Sequence, residues 1–188
     1  MAACPISSLV SKKSCTTKGG QTCCSFVGYG LVLNIYFPTK SGGKSMDVNR
    51  NEFSSFVDQL ISEVSSLVDG VNEVSWLICG TDTNAHFIGS GSPPRMKDDW
   101  AALEVRRFMN RFGLSSVAEK ICPSKPTRIN SRGHKSCLDT FLVSNELLLS
   151  GAVTMFEVVD WIETGSDHCP IYLRVRVFRI GLKDRNSL

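Results

Sequence analysis

The order of apolar and polar residues along the chain predicts a mixture of strands and helices. Apolar runs of strand length recur, each bounded by Pro, Gly or polar residues. These runs cover residues 29–38, 74–80, 137–144, 152–162 and 171–177. In the last of them apolar residues alternate with polar ones, so we expect one face of that strand to be buried and the other to meet solvent.

Two segments carry apolar residues at spacings of three and four, the pattern of an amphipathic helix. The first covers residues 49–68 and is closed by Gly70. The second covers residues 98–113, with Asp98 or Asp99 near its N-terminus. Because several strands follow one another without a helix between them, the pattern favours an α/β or α+β domain.

The length of 188 residues is typical of one domain with a real core. Residues 1–28 are rich in Ser, Thr, Lys, Gly and Cys and show neither periodicity, so we expect a poorly ordered lead-in. Residues 29–182 then form the domain, and residues 183–188 form a tail.

Composition and charge indicate a soluble globular protein, with 42% hydrophobic and 21% charged residues. A net charge of +3 is compatible with an anionic partner. The eight cysteines show no CxxC spacing, which argues against a zinc site. Cys79, Cys137 and Cys169 fall in or beside apolar strand-like runs, where a free thiol behaves as a small hydrophobe, and this favours a reducing compartment. Neither a secretory signal nor a membrane span is indicated, so we expect an intracellular protein; a nuclear location is compatible but has no clear signal.

Six polar residues interrupt the ends of the predicted strands, where they can converge at one edge of a sheet. Clustered carboxylates call for a cation, and hard oxygen ligands favour Mg²⁺ or Mn²⁺. An Asp paired with a His fixes the tautomer of the imidazole and keeps it cationic for phosphate contact. With an amide donor beside them, these groups can hydrolyse a phosphodiester. The residues are Tyr36, Asp82, Asn84, Asp139, Asp167 and His168.

All of these residues except Asp139, which lies within an apolar run, also have an ordinary structural interpretation. Asp82 and Asn84 are good turn residues after a strand. Tyr36 is compatible with core packing and a satisfied hydroxyl. Asp167 and His168 fit a surface pair or a helix cap, although the strand-like CPIYLRV that follows disfavours a cap.

The stretches ICGTDTNAH, SCLDTFLVS and GSDHCPIYL, in that order after LNIYFP, resemble the endonuclease/exonuclease/phosphatase superfamily. Its members include apurinic/apyrimidinic endonucleases, the deoxyribonuclease I group and the endonuclease domains of non-LTR retroelements. The resemblance runs from about Gly30 to Val177. It implies a DNase I-like four-layered sandwich of two mixed β-sheets flanked by helices, missing its first strands. It also implies an Mg²⁺- or Mn²⁺-dependent hydrolase that cleaves nucleic acid, with DNA favoured, and neither a membrane nor an obligate protein partner.

Carried over to this sequence, the resemblance implies a role for each matching residue. Asp82 is the general base or acid for the attacking water and the leaving group. Asn84 orients Asp82 and the phosphate, and His168 contacts the scissile phosphate. Asp139 orients His168, and Asp167 lies at the metal.

Two further residues enter through the same resemblance. Tyr36 corresponds to the aromatic residue near the phosphate in the apurinic/apyrimidinic endonucleases. The NAH triplet is similar to the retroelement branch, so His86 is expected near the substrate.

The sequence departs from the family pattern in two places. Thr81 separates the usual Gly-Asp pair, and Thr140 replaces an aromatic residue that often follows the Asp. The family's first strands carry an Asn and a metal-binding Glu, yet residues 1–30 contain no Asp, Glu or Asn. Two alternatives therefore stay open: an inactive remnant that binds nucleic acid or protein, and a phosphoesterase for another substrate such as a phosphoinositide.

Overall fold

The computed structural model describes residues 10–17, 20–27, 30–40, 42–70, 74–88, 97–121, 125–159 and 166–176. Its helices are α1 (Met46–Asp69), α2 (Trp100–Arg111), α3 (Val117–Ile121) and α4 (Asn145–Leu149). Its strands are β1 (Val10–Thr17), β2 (Gly20–Val27), β3 (Gly30–Tyr36), β4 (Trp76–Asp82), β5 (Leu114–Ser116), β6 (Arg128–Ile129), β7 (Lys135–Ser136), β8 (Asp139–Ser144), β9 (Val153–Val158) and β10 (Ile171–Val175).

The main sheet has six strands in the order β1-β2-β3-β4-β8-β5. Only the β3–β4 pair is parallel within this sheet. A parallel pair requires a crossover, and α1 supplies it. Strands β9 and β10 form a second, two-stranded antiparallel sheet, and β6 and β7 form a short hairpin.

The two long helices begin and end where the sequence provides caps. Ser45 caps α1 by accepting a hydrogen bond from the Val48 N–H at 3.3 Å, and Gly70 ends the helix. Asp99 caps α2 by accepting from the Ala102 N–H at 2.8 Å. Both helices therefore start with a polar oxygen on an otherwise unsatisfied N–H group.

Two apolar layers lie on opposite faces of the main sheet. On one face α1 and α2 pack against the sheet around the fully buried Phe37, which contacts the rings of Phe53, Phe56 and Phe108. On the other face β9, β10, α3 and α4 pack against β4 and β8. The architecture is thus the layered mixture of helices and sheets that the sequence predicts. The main sheet is mixed, and the β9–β10 sheet is antiparallel over its described strands.

The strands predicted at 29–38, 74–80, 137–144 and 171–177 and both helices are confirmed within the described ranges, with ends shifted by a few residues; residues 29 and 177 lie outside the described part. The strand predicted at 152–162 ends at Val158, and residues 160–162 lie outside the described part. Along β10, Tyr172 and Arg174 are exposed, whereas the alternating apolar residues Ile171, Leu173 and Val175 are half-buried, as alternation predicts.

The expectation of a poorly ordered lead-in is wrong for residues 10–17 and 20–27, which form the β1–β2 hairpin. Strand β2 pairs with β3 along its whole length, from Gln21↔Tyr36 to Val27↔Gly30. Main-chain pairing with the edge of β3, and not an apolar pattern, defines these strands. The boundaries at residues 28 and 182 stay predictions.

Within the described ranges, no helix is both long enough and apolar enough to span a membrane.

Candidate active site

Strand register brings three of the predicted polar residues side by side. Tyr36 at the end of β3 is the Cα partner of Asp82 at the end of β4. Asp82 is in turn the Cα partner of Asp139 at the start of β8. Because these partners lie on neighbouring strands, the three residues line one end of the main sheet. Tyr36 is 40% exposed there.

The imidazole of His168 contacts the carboxylate of Asp139. Its Nδ1 is 2.9 Å from Asp139 Oδ2 and 3.1 Å from Oδ1. A carboxylate accepts, so the proton lies on Nδ1 and the other ring nitrogen, Nε2, faces Asp82 Oδ2 and Asp167 Oδ1, each at 3.9 Å. The hydrogen bond to Asp139 raises the pKa of His168 above its ordinary value; burial opposes this, and the nearby carboxylates add to it. This favours the imidazolium near neutral pH.

Ionisation of the Asp82 side chain is unfavourable in the folded chain. Its side chain is only 14% exposed. Burial, followed by the negative charge of Asp139, raises the pKa of Asp82 from 3.8 to about 6. The Asn84 N–H and the positive charges of His168 and Arg128 oppose that rise. A buried carboxylate beside a second one is the setting in which a nearby cation is favourable.

Asn84 shapes the turn that presents Asp82. It has a φ of 45°, the left-handed region that Asn tolerates better than most residues. Its N–H donates to Asp82 Oδ1 at 3.1 Å, and its Nδ2 donates to the Phe37 carbonyl at 2.7 Å. The residue therefore ties the Asp82 carboxyl to the end of β3.

Thr127 joins the segments that carry the acidic residue and the histidine. Its buried hydroxyl accepts from the N–H groups of Leu138 and Asp139 at 3.0 and 2.9 Å. Its carbonyl accepts from the Cys169 N–H at 2.7 Å. One residue thus fixes the main chain beside both members of the Asp139–His168 pair. Sequence reasoning missed it, because a lone Thr carries no pattern.

Asp167 is held by a residue that the sequence analysis did not identify. Arg128 Nε donates to Asp167 Oδ2 at 2.6 Å, and this hydrogen bond holds the pKa of Asp167 below its ordinary value. The available signal was composition: residues 125–138 contain four Lys and Arg residues and no acidic residue.

A family model described as endonuclease-reverse transcriptase matches residues 31–172. The chain belongs to the endonuclease-reverse transcriptase family. This family falls within the endonuclease/exonuclease/phosphatase superfamily, whose phosphodiesterases, nucleases and phosphatases act on nucleic acid. No curated protein matches the chain.

Solved structures of the superfamily share the fold of this endonuclease-reverse transcriptase family member. The 3′ phosphatase NExo from Neisseria, bound to a product DNA hairpin, aligns with TM-score 0.60 and 15% identity over 82% of this chain and 64% of the other. The endonuclease domain of TRAS1, a telomere-specific non-LTR retrotransposon, aligns with TM-score 0.52 and 18% identity over 88% and 69%. Truncated TDP2 from Caenorhabditis elegans aligns with TM-score 0.52 and 16% identity over 87% and 64%. The chain thus spans about two thirds of the length of these proteins.

The structure brings together most of the predicted site residues of this family member. Asp82, Asp139 and His168 meet directly, and Asp167 and Asn84 adjoin them through the contacts given above. His86 lies farther along the segment after β4, where its carbonyl accepts from the Asp99 N–H at 3.0 Å. The substrate contact expected of His86 stays a prediction, as do the catalytic roles of the others.

The cluster has a donor set that suits a divalent cation. One oxygen or nitrogen atom from each of Asp82, Asp139 and His168 lies within 4.8 Å of the others. Both ring nitrogens of the His168 imidazolium carry protons, so the carboxylate oxygens are the atoms that can bind a cation. Burial is the main cause of the raised pKa of Asp82, and the negative charge of Asp139 adds to it. The Oδ1 atom of Asp167 adds a second oxygen near Nε2 of His168. Hard oxygen donors of this kind fit Mg²⁺ or Mn²⁺.

Proposed function

We propose that this chain is a divalent-metal-dependent phosphodiesterase that cleaves nucleic acid by attack of water on the phosphodiester. The observation that carries the proposal is the arrangement around His168, with Nδ1 held at Asp139 and Nε2 directed to the buried Asp82. An oriented imidazolium opposite a carboxylate of raised pKa is the equipment of general acid and base catalysis on a phosphate.

Asp82 accepts the proton of the attacking water as the water oxygen bonds to phosphorus, and it returns a proton to the leaving sugar oxygen as the other P–O bond breaks. A pKa of about 6 leaves its carboxylate largely ionised at neutral pH and still basic enough to take a proton. The Asn84 N–H holds Oδ1 of Asp82, which leaves Oδ2 on the side of His168. Asn84 is therefore a positioning residue for the base, and its contact with the phosphate is part of the proposal.

His168 stabilises the negative charge that develops on the phosphate oxygens. Asp139 keeps the imidazole oriented and favours its charged form. The Oδ1 atom of Asp167, beside Nε2 of His168, would hold Mg²⁺ or Mn²⁺, which would neutralise phosphate charge and polarise the phosphoryl group. Tyr36, exposed at the same end of the sheet, completes the proposed phosphate surroundings.

Nucleic acid is the favoured substrate, with DNA first. The family name and the names of two similar structures, a 3′ phosphatase with a product DNA hairpin and a retrotransposon endonuclease domain, support this class. The net charge of +3 is compatible with a polyanion.

Nicking of supercoiled plasmid DNA tests the proposal. The purified full chain should nick the plasmid in Mg²⁺ or Mn²⁺, lose the activity in EDTA, and lose it in the Asp82→Ala variant. Asp58→Ala is the matched control, because Asp58 is an exposed carboxylate on α1 that pairs with Arg107. No nicking by the folded protein, or equal nicking by Asp82→Ala, would overturn it.

A second candidate is a non-catalytic remnant that binds nucleic acid, favoured by the absence of Asp, Glu and Asn from β1 and β2. Calorimetric titration with Mn²⁺ separates the two candidates. A catalytic centre predicts one millimolar or tighter site that Asp167→Ala removes, whereas a remnant predicts no such site. Turnover of a phosphoinositide in place of DNA would favour the other phosphoesterase alternative.

A further inference from the structure

Arg128 is fixed beside the catalytic cluster by its main chain. Arg128 and His168 form an antiparallel bridge. The Ile129 N–H donates to the Asp167 carbonyl at 2.9 Å, and the Cys169 N–H donates to the Thr127 carbonyl at 2.7 Å. The Arg128 side chain then reaches Asp167 through Nε. Its position next to His168 is therefore set by hydrogen bonds on both sides of the bridge.

The ion pair engages only one edge of the Arg128 guanidinium. Within the described part of the chain, its two Nη nitrogens make no hydrogen bond or ion pair. The side chains of Arg128 and Asp167 are 37% and 45% exposed, so solvent reaches the pair. Exposed ion pairs contribute little free energy, and a phosphate offers guanidinium a stronger, bidentate partner.

A cation in addition to His168 favours the approach of a nucleic acid to the cluster. Asp82, Asp139 and Asp167 place three carboxylates there, and each repels phosphate. Among the described residues, His168 and Arg128 are the cations whose charges act on Asp82. The segment that carries Arg128, residues 125–138, contains four Lys and Arg residues and no acidic residue, so its own formal charge favours an anion.

We propose that Arg128 is a substrate-binding residue that takes a backbone phosphate of the nucleic acid on its free guanidinium edge. The inference rests on the proposed function for the class of substrate. It adds a contact that depends on Arg128 and not on catalysis, so binding alone can test it.

Fluorescence anisotropy with a labelled DNA duplex and the full chain in EDTA measures this contact without turnover. Arg128→Gln should weaken binding roughly three- to tenfold and reduce the slope of log Kd against log salt by about one, measured between roughly 50 and 200 mM salt. Arg128→Lys keeps the charge, so it should keep the salt slope and bind with intermediate affinity.

Asp167→Asn distinguishes a phosphate contact from a structural ion pair. If Arg128 binds phosphate, removing the neighbouring carboxylate leaves DNA affinity unchanged or tighter. If the pair only stabilises the fold, Asp167→Asn and Arg128→Gln weaken binding equally, which would overturn the inference. Arg107→Gln, on the helix layer with Asp58 and Glu104, controls for net charge and should keep both affinity and slope.

The outcomes also separate this inference from the proposed function. Metal-dependent nicking together with unchanged DNA binding by Arg128→Gln would overturn the Arg128 assignment and leave the phosphodiesterase intact. Weakened binding with a reduced salt slope in a chain that never nicks DNA would support Arg128 and refute catalysis.

Discussion

Asp82 is a residue whose charge costs stability, and neutralising it should stabilise the folded chain. Its pKa is raised from 3.8 to about 6, first by burial and then by Asp139. At about 1.4 kcal/mol for each pH unit between these values, the charged form costs the folded state up to about 3 kcal/mol. Asp82→Asn keeps the shape and the acceptor for the Asn84 N–H, so it should recover most of this free energy.

The sign and the pH window of the effect follow from proton linkage. Between pH 3.8 and about 6 the folded state binds the Asp82 proton more tightly than the unfolded state, so wild-type stability falls as pH rises through that window. The advantage of Asp82→Asn is therefore near zero below pH 4 and complete above pH 7. At about 2–4 °C per kcal/mol it should raise the melting temperature at neutral pH by roughly 6–12 °C.

Urea unfolding of wild type and Asp82→Asn at a series of pH values from 5 to 8 checks this prediction. Asp98→Asn is a control of opposite sign, because the hydrogen bond from Arg106 lowers the pKa of Asp98; this variant should lose stability at neutral pH. Equal stability of wild type and Asp82→Asn across the whole range, or a less stable variant at pH 7.5, would refute the burial argument.

Three further variants test the pair at His168 and the packing of the sheet. The pKa of His168, followed by NMR, should exceed 6.5 and fall in Asp139→Asn, because the hydrogen bond to Asp139 is the main cause of the rise; an unchanged value would contradict this. Asp139→Asn should also lower the free energy of unfolding, mostly at pH values below the raised pKa of His168. Ser144→Ala should lower the free energy of unfolding by about 1–3 kcal/mol, because the buried Ser144 hydroxyl bonds to both the N–H and the carbonyl of Leu77 in β4. Denaturant midpoints measure this loss. Gly30→Ala should cost about 1–3 kcal/mol or more, because its Cβ would lie 2.1 Å from the ring of Trp76.

The sequence predicts the strands and helices that have a strong local pattern. Strand β10 alternates cleanly, and α1 carries an apolar stripe with a Gly at its end, so both could be read directly. The short elements β5, α3 and α4 were not predicted, because three to five residues are too few for a period to emerge. The β1–β2 hairpin was missed for a different reason: it is defined by pairing with β3, which is a tertiary effect.

The residues of the candidate site likewise fall into those that the sequence identifies and those that only the structure shows. Asp82, Asp139 and His168 were identifiable because each is a polar residue at the end of an apolar run, and strand register then brings two of them together. Arg128 and Thr127 were not identifiable, because they act through hydrogen bonds to distant segments. Chemistry at a strand end is thus visible in a sequence, whereas the residues that hold it in place are not.

Single-turnover cleavage of an end-labelled DNA duplex tests most directly whether Asp82 and His168 form one hydrolytic centre. The wild-type chain in excess over DNA should cleave in Mg²⁺ or Mn²⁺, with the rate reduced by at least about a hundredfold in Asp82→Asn and in His168→Gln. Asp98→Asn should cleave at the wild-type rate under conditions where it is folded. Cleavage that persists in either active-site variant, or wild-type protein that binds DNA and metal but leaves the duplex intact, would contradict the account.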